Sequence, residues 1–127
     1  MAEFKNLETY TLEAAADLSG KQYHIVRGSA INKCNMGSAA TDSGLVGVLQ
    51  NKPQSGEFAC IADGGISKIV AGGTVTANQL VTTNGSGRAA NAGSGDMVIG
   101  RALDTATTNG EIISVRLRTP VRLSGAA

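Results

Sequence analysis

The chain has 127 residues, a net charge of +1 and 17% charged residues. That suits one domain and argues against nucleic acid as the main partner, because phosphate neutralisation needs a basic surface. Aromatic residues make up 3%, tryptophan is absent and much of the 42% apolar fraction is alanine, so the core is thin and the chain stands to gain stability by oligomerising. No N-terminal stretch joins a basic region to an apolar run, and none is long enough for a membrane span, so cytoplasmic synthesis without a membrane partner is expected.

In chain order, residues 1–20 are expected to form an extended N-terminal arm. Periodicity is absent until T-Y-T-L-E-A, where Tyr10 and Leu12 alternate with threonine, and Ala14-Ala15-Ala16 leads to a stop at Ser19-Gly20. Q-Y-H-I-V-R then reads as a strand with Tyr23 and Ile25 on one face, Gly28-Ser29 as a turn, and A-I-N-K-C as the next strand. After a loop over 37–44, residues 45–49 form a nearly continuous apolar strand, and 58–61 form another beyond the Pro53 connection. Gly64-Gly65 opens a series of short Ile and Val runs broken at Gly72-Gly73 and Ala77-Asn78, where Asn78 stands in for glycine. Asn84-Gly85 signals a hairpin. The last strands are 97–103 and 112–117, with Ile113, Val115 and Leu117 on one face. From Pro120 onward the chain is expected to extend away from the sheet.

One pattern organises these pieces. V-G-V-L-Q-N-K-P-Q-S-G-E-F-A-C-I over 46–61 is answered by I-G-R-A-L-D-T-A-T-T-N-G-E-I-I-S-V over 99–115, with one extra residue in the second connection. Gly47 corresponds to Gly100, Gly56-Glu57 to Gly110-Glu111, and Ile61 to Val115. Many short strands punctuated by glycine, with no helical stripe, predict an all-β domain over 21–117, a small Gly-rich barrel or sandwich, followed by a short C-terminal tail over 118–127.

Catalytic constellations are missing from the inventory. His24 is the single histidine and sits in a predicted strand, where a solvent-facing position or a subunit contact is expected, so no His-based metal site is expected. Cys34 and Cys60 lack a C-x-x-C partner and read as small apolar residues. Gly85-Ser86-Gly87-Arg88 lacks the lysine and helix of a phosphate-binding loop. Lys52 lies beside Pro53, but its flanks do not fit the modified lysine of a carrier domain. The chain is expected to be no enzyme and to need no cofactor or metal.

The run G-I-S-K-I-V-A-G-G-T-V-T-A-N-Q-L-V-T-T-N-G-S-G-R-A, followed by V-I-G-R-A-L-D-T-A-T-T-N-G-E-I-I-S-V-R-L, resembles the small capsid decoration, or cement, proteins of tailed bacteriophages. Asn78 takes the place of a usual glycine and Arg88 that of a usual lysine, and neither changes the backbone logic. The resemblance implies a β-tulip-like barrel that assembles as a homotrimer on the outer capsid surface of a virion. There it would bind the major capsid protein at threefold or quasi-threefold points and stabilise the expanded shell.

The expected contacts lie outside the repeat. Glu3, Glu8, Glu13 and Asp17 make the first twenty residues acidic, whereas Arg116, Arg118 and Arg122 make the end basic. Partner-binding residues are therefore expected in the arm (Phe4, Leu7, Glu8, Tyr10, Leu12 and Glu13) and in the tail (Arg116, Arg118 and Arg122). The arm would add a strand to an edge of the capsid protein, and the arginines would meet acids of a neighbouring subunit or of the capsid. The alternatives are a host-surface-binding β module of a virion and a small ligand or carrier barrel. The first should carry exposed aromatic or charged recognition loops, and the loops here are mostly Ser, Thr, Ala and Gly.

Overall fold

In the computed structural model, which describes residues 5–123, nine strands form one sheet and no helix is present among those residues. They are β1 (Lys5–Ala14), β2 (Ile25–Ala30), β3 (Lys33–Met36), β4 (Leu45–Leu49), β5 (Phe58–Val70), β6 (Leu80–Thr83), β7 (Ala89–Asn91), β8 (Met97–Ala102) and β9 (Ile112–Arg122). The order is β1-β3-β2-β4-β5-β9-β8-β6-β7, and β1 pairs again with β5. The fold is all-β, as its glycine punctuation and short Ile and Val runs predict.

The return of β1 to β5 closes the first five strands into a ring. The strands β5, β9, β8, β6 and β7 close in the same way through a parallel bridge between Ala71 and Ala89. Both rings use β5, whose first part pairs with β1 and whose last part pairs with β9. Ring closure satisfies backbone groups that an open sheet would leave at its edges.

The rings are copies of one another. Thr11↔Cys60 and Leu12↔Ala59 in the first match Lys68↔Ser114 and Ile69↔Ile113 in the second. Val26 lies between Met36 and Gly47, and Val81 between Asn91 and Gly100. The parallel pair Ala14↔Cys34 matches Ala71↔Ala89. Even the connections agree: Glu57 Oε1 accepts from the Gln54 amide at 2.6 Å and Glu111 Oε1 from the Thr107 amide at 3.1 Å. Asn51 Oδ1 and Asp104 Oδ2 accept from the Cys60 and Ser114 amides, each at 2.9 Å. The sequence repeat over 46–61 and 99–115 is thus the legible part of a duplication that spans both rings. Elsewhere equivalent positions ask only for an apolar side chain of suitable size, so Leu18 corresponds to Val75 across the duplication, and Cys34 to Ala89, without visible identity.

Alternation along the strands decides which residues fill which core. Val26, Leu49 and Ile61 turn into the first ring, with Ala14, Leu18, Cys34 and Ala59. Their neighbours Ile25, Val48 and Ala62 turn outward and join Leu45 in the larger cluster, centred on Ile69, Val81, Ile99, Ile113 and Val115. One outer face of the first ring is therefore buried against the second ring.

Several local expectations change. Within the expected arm over 1–20, Lys5–Ala14 is extended but lies in the wall of the first ring, paired with β5 and, at Glu13 and Ala14, with β3. The turn expected at Gly28-Ser29 falls later, beyond Ala30, where Asn32 carries a φ of 57°. Tyr23 has a φ of 64° and lies outside β2, so it does not share a strand face with Ile25. Within the expected tail, the chain does not leave the sheet at Pro120, because Val121 and Arg122 pair with Val98 and Met97. A register shift between Val98 and Gly100 accommodates the proline, which has no amide to donate.

Candidate functional site

At Asp63-Gly64-Gly65, β5 exchanges β4 for β9 along one edge while β1 follows the opposite edge as far as Ile66, and a gap opens over β5 between β1 and β9. The gap is a groove of about 710 Å³, lined on one bank by Asn6, Glu8 and residues 63–66 and on the other by Leu103 and residues 116–119. Local backbone makes it. Asn6 has a φ of 50° beside register shifts on either side of Glu8, and the missing side chain of Gly64 lets Glu8 lie across β5, since a Cβ there would stand 3.1 Å from Glu8 Oε1. A second hollow of about 350 Å³ shares Arg116, Leu117 and Arg118 and adds Leu80, Gly100 and Arg101.

The second bank is basic. Arg101 and Arg116 lie directly opposite each other on β8 and β9, both exposed, and Arg118 follows on the same face. Like charges facing across a strand pair are unfavourable, and among the described residues none of the three arginines forms an ion pair. Arg101 Nη1 donates to the Asn78 carbonyl at 2.6 Å and Arg118 Nε to the Thr119 carbonyl at 3.3 Å. Glu8 and Asp63 give the opposite bank the complementary sign.

Of the two positions expected for His24, the solvent-facing strand position is not found. The residue precedes β2, is 4% exposed, and places Nδ1 3.1 Å from the Gln22 carbonyl and Nε2 3.3 Å from Arg88 Nε. Arginine only donates, so Nε2 accepts and the proton sits on Nδ1, where it is donated to Gln22. Burial, together with the charges of Lys21 and Arg88, holds its pKa below the usual 6.5. Among the described residues no cluster of three metal-ligating side chains occurs.

The residues named from sequence scatter. Glu8, Arg116 and Arg118 meet at the groove. Leu7 and Leu12 pack against the two cores, Tyr10 is 37% exposed, and Glu13 pairs with Lys33 of its own chain at 3.5 Å. Arg122 donates to the carbonyls of Gly95 at 2.8 Å and Thr41 at 3.2 Å, away from the groove. Phe4 lies outside the described residues. Sequence reasoning passed over Arg101, whose signal was its departure from the repeat, where the first copy has Val48. It also passed over Ile31, at the β2–β3 turn, and Phe58, at the start of β5, which are 90% and 72% exposed.

Comparison with known proteins agrees with this architecture. No curated protein matches the chain. Among solved structures, the crystal structure of the head fibre gp8.5 N base of bacteriophage phi29 has the same fold, with a TM-score of 0.64 at 15% identity over 91% of this chain and 98% of that one. The profile of the family described as phage cement protein matches residues 3–117, which takes in both rings, and the chain belongs to that family.

Proposed function

We propose that this capsid-associated structural protein is a decoration protein that binds the outer surface of the expanded head and stabilises it, as a homotrimer seated at threefold or quasi-threefold points on the major capsid protein. The observation that carries the reading is the family match over both rings, in a molecule that carries a charged groove on its surface. Stabilisation then comes from distributed contact. The acidic bank at Glu8 and the arginines of β9 are the contact residues this reading favours, while Leu7 and Leu12 support them from the cores and Tyr10, Glu13 and Arg122 stand further along the same strands. Phe4, outside the described residues, is the remaining contact residue of this reading.

The test is to mix purified protein with expanded, undecorated heads and image the particles. Regular density at threefold positions is the expected result, with decorated heads surviving heat or shear that opens bare ones. Heads that stay bare at saturating protein overturn the reading. Sedimentation of the free protein and of the particle-bound copies tests the trimer.

A further inference from the structure

The duplication supplies an internal control for the arginine face. Pairing register makes Ile25, Val48 and Ala62 of the first ring equivalent to Leu80, Arg101 and Arg116 of the second: Ile25↔Val48 corresponds to Leu80↔Arg101, and Val48↔Ala62 to Arg101↔Arg116. In the first ring those three side chains are 0% exposed because the second ring lies on them. Among the described residues no ring lies on the same face of the second ring, which carries the 350 Å³ hollow.

The substitutions at this face are directional. The ring itself accepts Val48 and Ala62 at these positions, so nothing in its closure demands arginine. Replacing an apolar pair by two facing arginines costs cross-strand repulsion and gains no ion pair among the described residues. Leu103 adds to the contrast: its counterpart Gln50 reaches across the junction to Ser67 Oγ at 2.9 Å, whereas Leu103 is 42% exposed on the open groove. A face that the fold buries in one copy therefore stands open in the other, with Leu80 as its apolar element beside three cations.

We infer that the face formed by Leu80, Arg101, Arg116 and Arg118 is the seat for an acidic polypeptide segment of the shell protein, which takes the place that the second ring takes on the first. The inference rests on the decoration reading and specifies the partner's chemistry: carboxylates to satisfy the Arg101 and Arg116 pair, with small apolar side chains between them over Leu80. Charge complementarity commits the site to an acidic protein surface, and its continuity with the fold's own ring-to-ring contact commits it to protein.

The test compares R101E/R116E, R101Q/R116Q and wild type in binding to expanded heads at rising salt, with K52E as a charge change at an exposed residue elsewhere. The expected result is at least about tenfold weaker occupancy for R101E/R116E, a smaller loss for R101Q/R116Q together with a flatter salt dependence, and none for K52E. Thermal unfolding by circular dichroism should show all four proteins equally folded. Equal binding of R101E/R116E and wild type overturns the inference and leaves the decoration reading standing. Loss of binding in K52E as well overturns it by reducing the effect to net charge. A change of oligomeric state with unchanged head binding assigns the face to a second copy instead, and wild type that fails to bind heads overturns both readings.

Discussion

Gly47 and Gly100 hold equivalent places in the two rings and for the same steric reason. A Cβ on Gly47 would stand 2.3 Å from the Ala62 carbonyl oxygen and 2.9 Å from Ile61 Cγ2; one on Gly100 would stand 2.4 Å from the Arg116 carbonyl oxygen and 2.9 Å from Val115 Cγ1. The obstacle in each case includes backbone, which a rotamer change cannot clear. Gly47→Ala and Gly100→Ala are each expected to destabilise by about 1–3 kcal/mol through forced strand displacement. Urea midpoints measure this, and a wild-type midpoint in either variant removes the close-approach argument.

The cores predict a cavity effect that each ring feels separately. Ile61 is fully buried in the first cluster and Ile113 is 1% exposed in the second. Truncating either to alanine should cost about 2–5 kcal/mol. Because β5 is common to both rings, unfolding should remain a single transition in both variants, followed by circular dichroism and by amide exchange. Two separated transitions would show the rings to be independent.

Acid should weaken the fold in two steps. His24 is held neutral in the folded state with its pKa below 6.5, so between that lowered value and 6.5 the unfolded chain binds more protons. Stability is full above about pH 6.5 and falls as pH drops below it. Asp42 is lowered from 3.8, first by its hydrogen bond from Arg27 and then by that from the Gly44 amide. Its contribution is present above that value and lost further into acid. Urea midpoints from pH 8 to 3 should show both falls. His24→Gln should flatten the upper one and Asp42→Asn the lower.

Equivalent positions also predict an asymmetric exchange. Asn51 and Asp104 both accept a backbone amide, but Asn51 Nδ2 also donates to the Phe58 carbonyl at 2.9 Å. Asn51→Asp keeps the first bond and loses the second, for an expected cost of about 0.5–1.5 kcal/mol. An unchanged thermal midpoint would mean that the Phe58 carbonyl is equally well served by water.

Removing residues 2–14 should not leave a folded β domain. The deletion takes away β1, opens the first ring and strips Ala14 and Leu12 from its core. Circular dichroism and gel filtration should report an unfolded or aggregated chain. A compact monomer with wild-type strand content would show that β1 is dispensable.

The sequence alone determined the all-β class, the family resemblance, the turns at Asn78 and Asn84-Gly85, and the core face of Ile113, Val115 and Leu117. Each of these is written in local terms: a residue that tolerates positive φ, a two-residue period, or a glycine that backbone crowding makes obligatory. Gly47 and Gly100 stayed visible as a repeat for that reason. The rest of the duplication did not, because core positions such as Leu18 and Val75 are constrained in volume and not in identity. Only the tertiary structure decided that β1 belongs to the wall, that Pro120 lies within β9, that His24 is buried, and that Arg101 faces Arg116. Those outcomes depend on strands distant in sequence, whose pairing register sets which side chains meet and which face of a ring is left open.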